Sequence, residues 1–238
     1  MLRARKVGAA VQSARFRSAA QAGVFPSLEL RSLLPVETIR TVIDVGANRG
    51  QFALLALDKY SEANVICFEP GPTAYSVLSE IMSDEPDVSL HQLALGENAG
   101  SVSLLVSQDD DSSSLFAPTD AQLKAAPGSA TDRVENVRQA RADSLLSGDA
   151  LEGLTLLKID VQGAELSVLK GFGSILDQID FVLLELSLVE LYEGQDLSSS
   201  VIAWLDSRGF ELCRVGSATV SNGAQLQFDA LFRRRGNQ

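Results

Sequence analysis

From residue 41 onward, short apolar runs rich in β-branched residues alternate with stretches in which apolar residues recur every three or four positions. That alternation predicts βαβ units wound around a mostly parallel sheet, an α/β fold of Rossmann-like type. Residues 41–47, 65–70, 88–95, 155–161 and 181–187 read as the strands. Residues 49–60 gather Phe52, Leu55, Ala56 and the stem of Lys59 on one helical face, and 72–83 open with Pro72 in the first turn ahead of Tyr75, Leu78, Ile81 and Met82. A later helix over 197–208 turns Val201, Ile202, Trp204 and Leu205 inward and stops at Gly209, where a left-handed cap is wanted. Segments 210–215 and 227–234 have too little chain between them for a helical crossover, so they pair antiparallel through Gly216, Asn222 and Gly223. Two stretches interrupt the alternation. Residues 101–107 predict an inserted strand, and 108–132 form a polar loop long enough to be either a lid over a substrate or a mobile surface segment. The aspartates 109–111 in it read as a solvated acidic tip.

Composition narrows the picture. A chain of 238 residues with 45% apolar and 21% charged residues suits one medium α/β domain over 41–238, preceded by a basic helical extension over 1–40. The net charge of −11 argues against a nucleic-acid partner, which needs a concentrated positive face. The charge is uneven: Arg3, Arg5, Lys6, Arg15 and Arg17 lie in the first 28 residues, which hold no acid. This segment reads as a basic amphipathic helix packed on an acidic body, with peripheral membrane contact or a transit peptide as the alternatives. No apolar run approaches the roughly 20 residues of a membrane span, and no secretory-type apolar region opens the chain, which places the protein in the cytoplasm. Cys67 and Cys213 read as reduced core thiols, and His91, the single histidine, excludes a multi-histidine metal site within one chain.

The chemistry concentrates where the first strand ends. In Asp44-Val45-Gly46-Ala47-Asn48-Arg49-Gly50 a strand runs into a glycine-bearing turn and then a helix. Glycine permits positive φ and close backbone approach to a ligand. Asp44 is placed to accept from a ligand ammonium, and the turn amides to meet a carboxylate at the helix N-terminus, together a partner for an amino-acid zwitterion. A dinucleotide turn would want glycines at the positions of Gly46, Asn48 and Gln51, and two of the three are missing, which demotes an NAD(P)-dependent oxidoreductase to the alternative. Glu69 ends the second strand, where a carboxylate can accept from both hydroxyls of an adenosine ribose, and Leu93 and Ala94 would border the adenine. These residues point to S-adenosylmethionine.

In order, VIDVGANRGQF, CFEPGP, LALGENAGSVSL, SSSLF, LLKIDVQGAELSVLKG and LLELSLVELYEG make residues 41–215 similar to the FkbM family of S-adenosylmethionine-dependent methyltransferases. The resemblance implies a class I methyltransferase fold, a mostly parallel seven-stranded sheet ending in a C-terminal antiparallel hairpin. It also implies methylation of hydroxyl oxygens on sugars, polyketides or other natural products, so the expected partner is a small-molecule or glycan acceptor. It carries over Asp44, Gly46, Asn48, Gly50 and Glu69 as cofactor residues, with Ala47 in the turn and Pro70 after Glu69. The basic segment 1–28 and the aspartate-rich part of the loop depart from the pattern.

Methyl transfer to an alcohol benefits from a base that removes its proton. Alternation puts Lys158 and Asp160 on one side of the fourth strand with Asp160 near its C-terminal end, which makes Asp160 the first candidate as base, metal ligand or cofactor-positioning group. Glu185, at the equivalent end of the fifth strand between Leu184 and Leu186, is an acid that needs a partner and faces the acceptor in this reading. Tyr192 and the serines 112–114 are weaker acceptor candidates. No resident metal is assigned; a magnesium ion held near Asp160 in the presence of substrate stays open. So does a noncatalytic module that keeps the pocket and docks a partner through its basic segment.

Overall fold

The computed structural model describes residues 14–109, 112–147 and 151–236. The expectations for Arg3, Arg5, Lys6, Asp110 and Asp111 lie outside the described residues. Helix α1 (Ala14–Gln21) docks through Phe16 and Ala19, both buried, and Arg15 donates to Glu85 at 2.7 Å, so this part of the basic segment packs on an acidic neighbour. Burying a side chain such as Phe16 contributes about 1.5–3 kcal/mol. A 3-10 turn (Leu28–Ser32) then leads to β1 (Thr41–Val45), all five residues of which are buried, as a central parallel strand requires. Helix α2 (Gln51–Lys59) buries Phe52 through Leu57 without a break because it is covered twice, by the sheet beneath and by the N-terminal segment above. It begins at Gln51 rather than residue 49, since Gly50 (φ 93°) is its cap.

Next come β2 (Asn64–Phe68), α3 (Pro72–Ile81, with proline in its first turn) and β3 (Val88–His91). The stretch 88–95 is not one strand. It breaks after His91 and resumes as β4 (Ala94–Leu95), which leaves the main sheet for a second one. That second sheet has the order β4–β6–β5, with β5 at Gly100–Ser107 and β6 at Thr131–Ala140. The described part of the polar segment between them carries helix α4 (Asp120–Ala125), capped by Thr119, whose side chain accepts from the Gln122 amide. Then follow β7 (Thr155–Ile159), α5 (Glu165–Gly171), β8 (Phe181–Ser187), α6 (Ser198–Ser207), β9 (Phe210–Ser221) and β10 (Ala224–Arg234). The hairpin is longer than expected: Gly216 sits inside β9, and the turn is Asn222-Gly223 alone, both at positive φ as a two-residue hairpin favours. Cys67 is a core thiol, but Cys213 lies exposed on β9, contrary to the sequence reading.

The main sheet runs β3–β2–β1–β7–β8–β10–β9, parallel through β8, with β10 antiparallel to both its neighbours. The chain winds outward through β2 and β3, then returns to β7 on the other side of β1. This reversal opens a crevice at the C-terminal ends of β1 and β7, where open α/β sheets take their ligands. No helix among the described residues is long and apolar enough to cross a membrane.

Candidate functional site

Gly46 shows why the turn after β1 needs glycine. Its φ is 75°, and an added Cβ would stand 1.9 Å from the carbonyl oxygen of Asp160, so this glycine lets the ends of β1 and β7 close together. The turn's amides are committed internally. Gly46 and Ala47 N–H both donate to Phe68 O, Asn48 N–H to Glu69 Oε2, Arg49 N–H to Asn48 Oδ1 and Gln51 Oε1, and Gly50 N–H to Ala47 O. The expected carboxylate cradle of turn amides is therefore used by the turn itself. Gly50 serves packing: a Cβ there would meet Leu78 Cδ1 at 2.9 Å and Met82 Cε at 3.0 Å on α3.

Glu69 is only 8% exposed, and each carboxylate oxygen takes one backbone amide, Oε2 from Asn48 at 2.8 Å and Oε1 from Gly71 at 2.7 Å. Burial pushes its pKa up to about 7, against the pull of those two amides and of Lys158. The carboxylate thus ties the β1 turn to the end of β2 and keeps a second lone pair on each oxygen.

Asp44 and Lys158 are register partners across β1 and β7. Lys158 Nζ lies 3.1 Å from Asp44 Oδ1, donates to Gly46 O at 3.1 Å and stands 3.7 Å from Asp160 Oδ2. The Asp44 contact is an ion pair without hydrogen-bond alignment. Burial raises the Asp44 pKa, partly offset by Lys158. Burial would lower that of Lys158, but Asp44 and then Asp160 more than reverse it, so the ammonium stays charged. Asp44 is fully buried beneath the turn and does not line the cavity, so the ammonium partner expected there is occupied by a lysine of the protein itself.

Gln162 joins the remaining acids. It adopts a left-handed backbone (φ 56°), unusual for a residue with a side chain, and its Nε2 donates to Asp160 Oδ1 at 2.8 Å and to Glu185 Oε2 at 3.2 Å. Tyr192, 2% exposed, donates its hydroxyl to Gln162 Oε1 at 2.9 Å and accepts from Gln122 Nε2 at 3.2 Å. Ser114 Oγ donates to Gln162 O at 2.6 Å. Gln227 Nε2 donates to the other Glu185 oxygen, and Asp229 stands opposite Glu185 in register on β10. Burial and then Asp160 hold the Glu185 pKa well above the carboxylate range. Glu165 closes the loop from below, accepting from the amides of Val161 and Gly163, with burial raising its pKa to about 7.

These elements surround one cavity of about 300 Å³. Of the expected residues, Gly46, Ala47, Asn48, Glu69, Pro70, Leu93, Ala94, Lys158 and Asp160 line it, whereas Asp44, Gly50 and Glu185 stand behind its wall. His91, stacked on Phe68 at 4.8 Å between ring centroids, is also off the wall, and Tyr192 is buried beneath the 112–122 segment rather than facing an acceptor. Linings outside the expected set include Gln162; Leu115 beside the serines Ser113 and Ser114 of the loop; and Ser27, Glu29 and Leu30 of the N-terminal segment. The loop thus covers the site, through residues 113–115. No local spacing announces that residue 29 and residue 160 line one cavity. Among the described residues, no group of three or more His, Cys, Asp and Glu side chains is placed to hold a metal ion.

Comparison with known proteins identifies the family. The chain is 30% identical over 196 residues to methyltransferase sdnD of Sordaria araneosa, covering 73% of this chain and 74% of that one. It is 30% identical over 177 residues to the 2-O-methyltransferase NoeI of Sinorhizobium fredii, covering 72% of each. Among solved structures, methyltransferase FkbM from Methylobacillus flagellatus superposes with a TM-score of 0.52 at 15% identity, over 84% of this chain and 45% of that longer protein, a likeness of fold. The family model for the methyltransferase FkbM domain matches residues 44–212, a span that holds both Glu69 and Asp160. The chain therefore belongs to the FkbM methyltransferase family and is an S-adenosylmethionine-dependent methyltransferase with a class I, Rossmann-like fold.

Proposed function

We propose that the protein binds S-adenosylmethionine in this cavity and methylates a hydroxyl oxygen of a sugar, glycan or other natural product. One observation carries the reading: a single cavity joins a carboxylate at the end of β2, fixed by two amides, to an acid at the end of β7. Glu69 would accept from the ribose hydroxyls, and Leu93, Ala94 and Leu104 offer apolar surface to the adenine. A cavity of about 300 Å³ is at the lower edge of the usual range for small-molecule sites and suits an adenosyl group. That the relative NoeI is a 2-O-methyltransferase supports oxygen as the acceptor atom.

The cofactor supplies a methyl group already activated by a sulfonium, so the protein's task is alignment and proton removal. Holding two reactants in line is worth effective molarities of about 10⁵–10⁸ M. Asp160, partly exposed in the cavity, would take the proton of the acceptor hydroxyl that displaces the sulfonium sulfur from the methyl group, a contribution of about 10²–10⁴-fold. Lys158 and Gln162 fix that carboxylate from two sides. Glu185, reached through Gln162, is a positioning group rather than an acceptor contact.

Calorimetric titration with S-adenosylmethionine, S-adenosylhomocysteine and NAD tests the site. Micromolar adenosyl binding, weakened at least tenfold in Glu69→Ala and little changed in Asp160→Asn, is the expected pattern. Labelled-methyl transfer to hydroxylated acceptors should then fall about 100-fold or more in Asp160→Asn. Binding of NAD in preference to the adenosyl compounds would overturn the reading.

A further inference from the structure

Beside the main cavity lies a second, much smaller one of about 20 Å³, room for a single water-sized group. The two share Glu69, Leu104 and Ser113 as walls, and of the two only the small one is lined by Thr73, Arg133 and Glu135. Leu104 on β5 and Glu135 on β6 are register partners, so their side chains stand side by side on one face of the second sheet. That face covers the adenosyl end of the site. Leu104 packs in one cluster with Ala94, and a Cβ at Gly71 would lie 3.7 Å from its Cδ2 and 3.0 Å from Glu69 Oε1.

Glu135 brings to this corner a carboxylate of which one oxygen is engaged and the other is not. Its Oε1 accepts from Arg133 Nε at 2.6 Å, and Arg133 Nη2 donates in turn to Thr73 Oγ1 at 3.2 Å, in the first turn of α3, so the carboxylate is held between β6 and that helix. Its Oε2 is buried, and no donor among the described residues reaches it. A buried carboxylate oxygen is costly to leave without a hydrogen bond, and a ligand that donates to it recovers that cost on binding.

Resting on the cofactor reading above, we propose that Glu135 reads the cofactor's base: the adenine lies against Leu104, and its 6-amino group enters the small cavity and donates to Glu135 Oε2. The amino group is about the size of a water, is a donor, and sits on the ring edge away from the ribose that Glu69 holds. An ionised carboxylate can only accept hydrogen bonds. Glu135 therefore selects an adenosyl group over an inosyl group, whose 6-carbonyl would set one acceptor against another.

The test compares S-adenosylhomocysteine with S-inosylhomocysteine, which carries a carbonyl in place of the 6-amino group, by calorimetry on the full chain. The wild type should bind the adenosyl compound about 10–100-fold more tightly, as for a hydrogen bond to a charged group. In Glu135→Gln the amide oxygen can keep Arg133 while the amide nitrogen, a donor, replaces Oε2. The adenosyl compound should then weaken about tenfold or more and the inosyl compound should not, so the preference falls at least about tenfold. It should fall in Glu135→Ala as well. Equal weakening of both compounds in the variants would reduce Glu135 to a structural partner of Arg133. An unchanged preference, as when a water fills the small cavity, would remove Glu135 from base recognition, and a wild type that binds both compounds alike would show that the 6-position is not read. Each of these overturns the proposal while leaving the cofactor reading intact. If the wild type binds neither compound, the cofactor reading fails and this proposal with it.

Discussion

Two side chains concentrate what this site asks of single residues. Glu69 is an acid whose pKa burial has raised from 4.5 to about 7. If ribose hydroxyls donate to its ionised form, cofactor binding below that pKa must expel a proton, so affinity should fall as pH drops below 7 with a limiting slope of about tenfold per pH unit. Calorimetry in two buffers of different ionisation enthalpy reads the released proton directly. In Glu69→Gln the affinity should be lower at neutral pH and the proton release at this site absent; release unchanged from wild type would assign the titration to another group. Gly46 makes the opposite demand, for an atom that is not there. With φ at 75° and Asp160 O at 1.9 Å from the added Cβ, Gly46→Ala must pry β1 from β7. Gly50→Ala shares the positive φ but meets only the ends of Leu78, Met82 and Ile81. Both carry the roughly 1–2 kcal/mol of a left-handed residue with a Cβ. Urea denaturation should therefore find Gly46→Ala the more destabilised by at least about 1–2 kcal/mol, or unfolded outright. Equal losses would show that the close approach of the two strands is not rigid.

Elements were legible in the sequence to the extent that burial wrote a pattern into them. The runs VIDVG and LLKI are apolar on both faces except for Asp44 and Lys158, which is what a central strand with one internal ion pair looks like. Strand β6 left no such trace: Thr131–Ala140 buries only Val137 and Ala140, so its composition reads as a polar loop although β5 pairs with it along nearly its whole length. The break after His91 was hidden for the opposite reason. Apolar residues continue through it, and only the tertiary structure shows that Leu93 turns into the cavity while Ala94 and Leu95 pair with β6. Likewise the sequence did not show that Asp44 and the turn amides have partners within the protein, because Lys158, Phe68 and Glu69 arrive from other strands. The cover over the site is also set by partners distant in sequence. Tyr192 holds residues 112–122 to the β7–α5 turn through Gln122, Gln162 and the Ser112 carbonyl at 3.1 Å. Tyr192→Phe leaves the ring packed but strands buried polar groups, at about 1–3 kcal/mol. Hydrogen exchange should then accelerate about tenfold or more at amides 112–123, with those of β1 and β7 unchanged. Uniform acceleration across the sheet would mean that Tyr192 supports the whole fold and not this cover.

At the scale of the whole molecule, the site stores a pH dependence of stability. Glu69 and Glu165 move from 4.5 to about 7 on folding, Asp229 from 3.8 to about 6, and Glu185 well above its usual value, in each case chiefly by burial. The folded protein therefore holds protons that the unfolded chain has released between about pH 4 and 7. The stability these groups contribute is fully present below the unfolded values and is lost as pH rises through the folded ones. Repulsion within a chain of net charge −11 grows in the same direction as its acids ionise. The urea midpoint should accordingly be lower at about pH 8 than at about pH 5, by the equivalent of a few kcal/mol, since each tenfold change in proton affinity on folding is worth about 1.36 kcal/mol. Glu165→Gln separates this origin from general repulsion: its amide oxygen can still accept from the loop amides of Val161 and Gly163, yet one titration disappears, so the slope between those two pH values should flatten. A midpoint higher at about pH 8 than at about pH 5 would contradict the raised acids as a group. A slope unchanged in Glu165→Gln would instead place the proton uptake on the carboxylates that face the cavity, where saturating S-adenosylmethionine, by favouring the ionised form of Glu69, should reduce it.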